Sequence, residues 1–455
     1  MNIFQINRSD IEDRFDPPYY KDKPDFSKFI KLSKIAVVKG GKRIPLGMSY
    51  TTEQTNYLYL RVADMLDGDI DYSTLNHIGN DVFEILKSYE ISKNDIALSI
   101  AGTIGKVIFL KNIPQNNKII LTENCAKIQI KDTSVLSQYL ALLLILSITQ
   151  KQIELNYIQT TIPKLGLDRI RNLYLPPIPA LSVQQTIVDL YINAQSQRKR
   201  KLEEAQKLLV GLNDYLLSEL GIKLPKKDNS LSKRIFVTKF SELTSNRFDP
   251  KYILYLKDIH NFKYDIFPLK KFLIEKPQYG TAEIGIPRIK EQQPRYIRIT
   301  DINDFGELDD SLGATAENCS DEYFLYENDL LFARSGATVG KTYLHKHLSY
   351  PAFFAGYMIR VRLDESTLLP DYLFAYTQTS FYKNWVDAIQ RAAAQPNINA
   401  EEYASLPIPL PPIEKQREIA KHIQEIRNHA KQLKNEADMI LQEAKQKVER
   451  MILGE

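Results

Sequence analysis

The chain repeats itself once, and this repeat restricts its fold more than any other feature. Arg14-Phe15-Asp16-Pro17 with Tyr19 returns as Arg247-Phe248-Asp249-Pro250 with Tyr252. Tyr59, Arg61 and Asp64 return as Tyr296, Arg298 and Asp301. Asn94-Asp95 and the turn from Gly102 through Gly105 to Lys106 return as Asn328-Asp329 and the turn from Gly336 through Gly340 to Lys341. Tyr139 matches Tyr372, Pro163 matches Pro396, and Pro176, Pro177 and Pro179 match the cluster from Pro407 to Pro412. The order never breaks, so the 455 residues are a duplication in which both halves must fold by one plan.

Within each half, short apolar runs at 96–100, 106–110 and 126–130, or 329–333 and 357–363, are punctuated by Gly, Pro and Asn and predict strands. Segments 136–149 and 371–388 predict a helix each, so the class is α+β. A long helix then closes each half. Residues 183–220 hold no Pro and one Gly, with apolar positions at Ile187, Leu190, Ala194, Leu202, Ala205, Leu209, Leu212 and Leu216. Ile419, Ile423, Ile426, Ala430, Leu433, Ala437, Ile440, Ala444, Val448 and Met451 repeat the pattern. Steps of mostly three and four make a heptad seam, which must bury itself on a partner. The obvious partner is the other copy. The expected architecture is therefore two duplicated α/β domains separated by two long helices, which form an antiparallel coiled coil with pseudo-twofold symmetry. The predicted boundaries are 1–180 and 238–411 for the globular domains, 181–221 and 412–455 for the helices, and 222–237 for a linker.

Several functions are excluded or weakened. Two cysteines, Cys125 and Cys319, rule out a disulfide framework and a four-cysteine zinc site. The longest apolar run, 139–148, is about half of the roughly 20 residues that a membrane span needs. No basic and then apolar leader opens the sequence, so a cytoplasmic protein with no membrane contact is expected. A net charge of +4 suits a DNA binder and an enzyme equally. Asp16-Pro17-Pro18-Tyr19 resembles the pocket that adenine-N6 methyltransferases close on a flipped base. The second copy, however, reads Asp249-Pro250-Lys251-Tyr252, and no glycine-rich turn is in reach to hold S-adenosylmethionine. The run from Gly336 to Thr342 approaches a P-loop but has three residues between its glycines instead of four. It reads either as a tight turn or as a turn offering N–H groups and a lysine to a phosphate. His345 and His347 share a strand face without a third ligand, which reads as a surface pair. No cofactor, metal or catalytic residue is expected.

The ordered set resembles the specificity subunit of a type I restriction-modification system. The proline-rich lead-in at 175–188 resembles that family's approach to its first long helix, and 406–420, ending in Gln416 and Ile419, is a closer match at the second. Tyr296, Arg298 and Asp301 and the Gly336–Lys341 turn are typical of its target-recognition domains, and Gln395-Pro396-Asn397-Ile398 resembles the family's segment before the helix. The first copy departs at Thr161-Ile162-Pro163-Lys164, which lacks the Gln and Asn. The resemblance implies a non-catalytic subunit that binds a bipartite, asymmetric site on double-stranded DNA, one half-site per domain. It also implies two methyltransferase subunits, with contacts on the long helices, and restriction-translocase subunits in the full complex. A methyltransferase or nuclease fusion using Asp16 to Tyr19, and a coiled-coil protein adaptor, are the alternatives.

Residue chemistry supplies candidate DNA contacts. Lys42 and Arg43 concentrate charge in a Gly-Gly loop. Arg61 and Arg298 stand at equivalent places, where each either pairs with Asp64 or Asp301 or reaches DNA. Lys106, Arg334, Ser335 and Lys341 sit at the glycine turns, and Tyr279 and Thr281 flank Gly280 in a loop able to reach a groove.

Overall fold

A computed structural model describes residues 5, 8, 26–66, 70–156, 163–224, 237–239, 250–258, 262–309, 311–390 and 396–454. The chain divides into two compact units, Met1–Arg200 with Glu436–Glu455, and Lys201–Asn435.

The first unit contains strands β1 (Ala36–Gly40), β2 (Tyr57–Leu60), β3 (Ile96–Ser99), β4 (Val107–Phe109), β5 (Lys118–Leu121) and β6 (Cys125–Ile130). Helices α1 (Ser137–Ile145) and α2 (Ser147–Asn156) follow, and then the start of the long α3 (Leu181–Glu219). One antiparallel sheet has the order β1-β6-β3-β4. A second sets β2 parallel to β5, with Asn76–His77 and Glu90–Ile91 at its edges. Ile96, Leu98 and Ile128 join Tyr139 and Leu143 of α1 in one core, while Ala97 and Ile108 join Leu58, Ile119 and Leu121 in another. The β3 sheet is thus covered on both faces, which is why its strands read as apolar runs instead of alternating.

The second unit repeats the plan. It holds β7 (Gln278–Tyr279), β8 (Arg295–Ile297), β9 (Leu330–Ala333), β10 (Thr342–Leu344), β11 (Ala352–Phe354) and β12 (Met358–Val361). α4 (Pro370–Tyr376), α5 (Ser380–Ile389) and the long α6 (Ile413–Leu453) follow. The order β7-β12-β9-β10 matches the first unit's antiparallel sheet, and β8 again runs parallel to β11. Asn94 and Asn328 take positive φ of 69° and 72°. The buried Asp95 and Asp329 beside them accept from Ser92 N and Tyr326 N, closing the turns that lead into β3 and β9. Gly102, Gly105, Gly336 and Gly340 hold positive φ where β3 turns into β4 and β9 into β10. The P-loop-like run is therefore a tight hairpin turn.

Segments 136–149 and 371–388 are each two helices where one was expected. α1 stops at Leu146, whose ψ is 148°. α5 starts afresh at Thr379, whose hydroxyl accepts from Tyr382 N. A threonine cap satisfies an N–H that has no partner at a helix start, so the break is stable.

Within each unit the two long helices run antiparallel. In the first, Ile187 and Val448 share a core and Arg198 meets Asp438 at 3.3 Å. In the second, Ala205 and Leu209 pack with Ala430 and Leu433, and Glu219 pairs with Lys415 at 2.8 Å. Met451, expected in the seam, is exposed.

A buried glutamine docks each long helix on its own globule. Gln184 Oε1 accepts from Leu136 N at 2.8 Å, and its Nε2 donates to Ser134 O and Pro179 O. Gln416 does the same with Leu369 N at 2.9 Å, Thr367 O and Pro411 O. Both side chains are 0% exposed, and Leu136 and Leu369 are the residues that begin α1 and α4. Among the described residues no helix is long and apolar enough to cross a membrane.

Candidate nucleic-acid interface

Two loops with almost no side chains in common occupy the same place in the two units. Gly41 N donates to Cys125 O and Lys42 N to Leu121 O, while Gly280 N donates to Met358 O and Thr281 N to Phe354 O. Each loop crosses over the carbonyls that follow a central strand. A Cβ on Gly41 would lie 2.1 Å from Thr122 O, and one on Gly280 2.3 Å from Ala355 O, so only glycine can make the crossing. A tyrosine then latches the loop. Tyr59 OH donates to Lys42 O at 2.8 Å, and the Tyr296 hydroxyl proton is shared between Glu283 O at 3.0 Å and Thr281 O at 3.2 Å. Burial pushes both phenols up to about 12, which keeps them protonated and able to donate. Lys42 and Arg43 point into solvent, but Thr281, expected to reach outward, is buried and its hydroxyl accepts from Glu283 N.

Arg61 and Arg298 lie two residues beyond the latch tyrosines. Arg61 Nε and Nη2 donate to Asp64 at 3.0 and 2.7 Å, and Arg298 grips Asp301 at 3.1 and 2.7 Å. The same carboxylates accept the arginines' backbone N–H and so cap the short 3-10 turn that follows. These hydrogen bonds raise the pKa of both guanidinium groups. The ion-pair alternative is thus realised, yet the side chains remain 38% and 35% exposed, leaving an outer edge that a ligand can meet. Lys106 and Lys341 differ from the turn-presented ammonium that the sequence suggested. Lys106 Nζ donates to Met65 O, and Lys341 Nζ to Ile302 O, each at 3.1 Å. Lys341 also meets Asp304 at 3.0 Å. Both therefore tie the glycine turn to the residue that follows the capping aspartate.

Arg334 and Ser335 have no side-chain counterpart in the first unit, where Ile100 and Ala101 stand in their place. The Arg334 guanidinium lies 4.7 Å from the Tyr279 ring centre, and Tyr279 OH accepts from Ala400 N at 3.1 Å. Ser335 forms a bridge with Asn397, and Ile398 N donates to Arg334 O. In the first unit Ala101 bridges Lys164 and Leu165 N donates to Ile100 O. The segment's backbone role therefore persists without its Gln and Asn side chains. Sequence reasoning missed Tyr50, whose ring centre lies 5.8 Å from that of Tyr59, and Tyr357, whose carbonyl accepts from Arg334 N at 2.9 Å. It also missed Glu123, which pairs with Arg43 at 2.6 Å. None of the three belongs to a repeated motif. Arginine and tyrosine gather at both loops, with Lys42 added at the first, a set suited to phosphates and base edges.

Other candidates stand apart. His345, read as a surface residue, is buried beside Tyr343 OH, because its backbone pairs with Asp329 beyond the end of β10. Burial lowers its pKa. Burial pushes the Cys125 thiol up to about 12 and the Cys319 thiol up to about 11, far from a nucleophilic thiolate. Among the described residues no group of three or more His, Cys, Asp or Glu could hold a metal ion. The repeated Arg14 to Tyr19, with the Asp16-Pro17-Pro18-Tyr19 run, lies outside the described residues, as do Arg247 to Asp249, Gln395, Thr161 and Ile162.

The family model for the type I restriction modification DNA specificity domain matches the chain twice, over residues 24–207 and 254–439. A structure described as the basis of complex assembly and conformational transition of the type I R-M system shares the fold at a TM-score of 0.50 and 14% identity, covering 93% of this chain and 96% of that one. The S subunit of a type I restriction-modification system from M. genitalium is also similar, at 14% identity and a TM-score of 0.42, with 93% and 95% of the two chains covered. A comparison with curated proteins finds no match.

Proposed function

Because the chain belongs to the type I restriction-modification DNA specificity family, we propose that each unit reads one half-site of a bipartite, asymmetric duplex target. The chain is a specificity subunit, with two target-recognition domains and no catalytic role of its own; catalysis belongs to the subunits it assembles with. The domains extend over 1–180 and 238–411, the long helices over 181–221 and 412–455, and 222–237 links them. Two methyltransferase subunits contact the long helices, and restriction-translocase subunits complete the assembly in the cytoplasm. Lys42, Arg43, Arg61, Tyr279, Arg298, Arg334 and Ser335 face the DNA. Thr281, Lys106 and Lys341 act from behind by holding the loop and the turn in place.

One observation carries this reading. The loops at 39–43 and 278–282 are held by the same glycine crossing and the same tyrosine latch, yet present different side chains. A constant scaffold with variable tips is what reading two unlike half-sites requires, since phosphate contacts position and base contacts specify. The test is selection of duplexes from a random pool by the full chain. Two short conserved blocks of different sequence, separated by an unread stretch, are expected, with affinity falling as salt rises. No enrichment, or a single continuous block, would overturn the proposal.

A further inference from the structure

Arg43 is held in an unusual way for an exposed residue. Its Nε donates to Glu123 Oε1 at 2.6 Å, while its side chain is 80% exposed and that of Glu123 only 27%. Glu123 is itself fixed. Its Oε2 accepts from Thr122 Oγ1 at 3.0 Å and lies 3.4 Å from the hydroxyl of Tyr59, whose proton goes to Lys42 O as the latch of the same loop. Burial alone would raise the Glu123 pKa, but the hydrogen bonds from Arg43, its own backbone and Thr122 outweigh it and keep the carboxyl ionised. Nη1 and Nη2 of Arg43 make no hydrogen bond among the described residues. The guanidinium is therefore braced from the side, with its end-on fork directed away from the brace and open.

The geometry points to Arg43 as the guanine-reading residue of the first unit's half-site, with Glu123 as its positioning residue. This rests on the proposed reading of DNA by that unit and names the base it recognises. An end-on arginine fork matches the paired acceptors O6 and N7 that only guanine shows in the major groove. A backbone phosphate is the competing ligand, and two features disfavour it. The Glu123 carboxylate already occupies Nε, and its negative charge repels a phosphate brought beside it. A base edge approached end-on meets neither obstacle. The brace also removes rotamer freedom before binding, so less entropy is lost on contact. The second unit lacks the device: at the positions equivalent to Arg43 and Glu123 stand Ala282 and Gly356. Its half-site must be read by other groups, which fits an asymmetric target.

The test uses the full chain and the duplex it selects. Arg43→Ala is expected to relax one position of one half-site, a G·C pair, by about 5- to 150-fold in discrimination. Placing 7-deazaguanine there, which removes only N7, should weaken the wild type but not Arg43→Ala. Glu123→Gln should relax the same position less and leave all others intact, with thermal unfolding unchanged, a pattern that a merely structural role does not give. If Arg43→Ala weakens every duplex equally and lowers the salt slope by about one, Arg43 touches a phosphate and the inference is wrong. It is equally wrong if the position it controls is not a G·C pair. Failure of the wild type to select any duplex would instead sink the underlying reading of DNA.

Discussion

Replacing Gln416 with Ala removes an amide that makes three hydrogen bonds in a site with no solvent exposure. The Leu369 N–H at the start of α4, and the carbonyls of Thr367 and Pro411, would all lose a partner. A buried group left unsatisfied costs about 1–3 kcal/mol. The two carbonyls each have a second lone pair and relax more easily than the N–H, so a total of roughly 3–5 kcal/mol is reasonable. That is a large fraction of the about 5–15 kcal/mol that holds a domain folded. Gln416→Met keeps the volume and should lose nearly as much. Gln424→Ala, on an exposed position of the same helix where the amide bonds only Asn428, should stay within about 0.5 kcal/mol of wild type. The assay is urea unfolding of the full chain, followed by hydrogen exchange at single amides. Gln416→Ala should deprotect the Leu369 amide and leave the Leu136 amide as in the wild type, and Gln184→Ala should do the reverse. A Leu369 amide that stays fully protected in a variant of unchanged stability would refute the claim that the glutamine docks the helix on the globule.

Three further outcomes follow from the same geometry. Gly41→Ala and Gly280→Ala drive a Cβ into backbone carbonyls and should each cost about 1–3 kcal/mol or more, whereas Gly166→Ala, where a Cβ meets nothing, should be nearly neutral in the same melts. His345 has a lowered folded pKa through burial, with Asp329 and Glu327 pulling it up and His347 pulling it down. The unfolded chain therefore binds the proton first, and stability is lost as pH falls below about 6.5, by at most about 1.4 kcal/mol per pH unit. His345→Gln should abolish that slope, and a wild type that instead loses stability as pH rises through this window would contradict the buried placement. Lys341→Met should weaken binding at the second half-site without changing the salt slope, because its ammonium already serves Ile302 O and Asp304; a slope lowered by about one would mean that it reaches a phosphate.

Much of the fold could be read from residues whose backbone geometry is demanding. Asn at positive φ, Asp closing the turn behind it, Gly in the hairpin and the Arg-Asp capping pair each answer a local need, so both copies retain them and the repeat is visible. The heptad seams were legible for the same reason, since a narrow apolar stripe has to be buried. The breaks at Leu146 and Thr379 were not, because the residues around them stay apolar through the interruption. The equivalence of the loops at 39–43 and 278–282 was also hidden. Both stretches carry glycines beside charged or aromatic residues, but only one glycine and a distant tyrosine are common to them. Tertiary contact, not local pattern, brings Glu123 to Arg43 across 80 positions of sequence. Lys106 and Lys341 looked like groups offered outward because a lysine beyond a glycine turn has no visible partner until the chain folds a carbonyl onto it.

The central claim is that one scaffold, used twice, reads two independent half-sites. Its most direct test exchanges residues 1–180 for the equivalent domain of a relative with a different target and sequences the methylated adenines in cells that carry the hybrid with its modification partner. One half of the methylated site should change to the donor's sequence while the other half stays as it was. A hybrid that assembles and methylates but changes both halves together would contradict the account, since the two domains would then read DNA as a single surface.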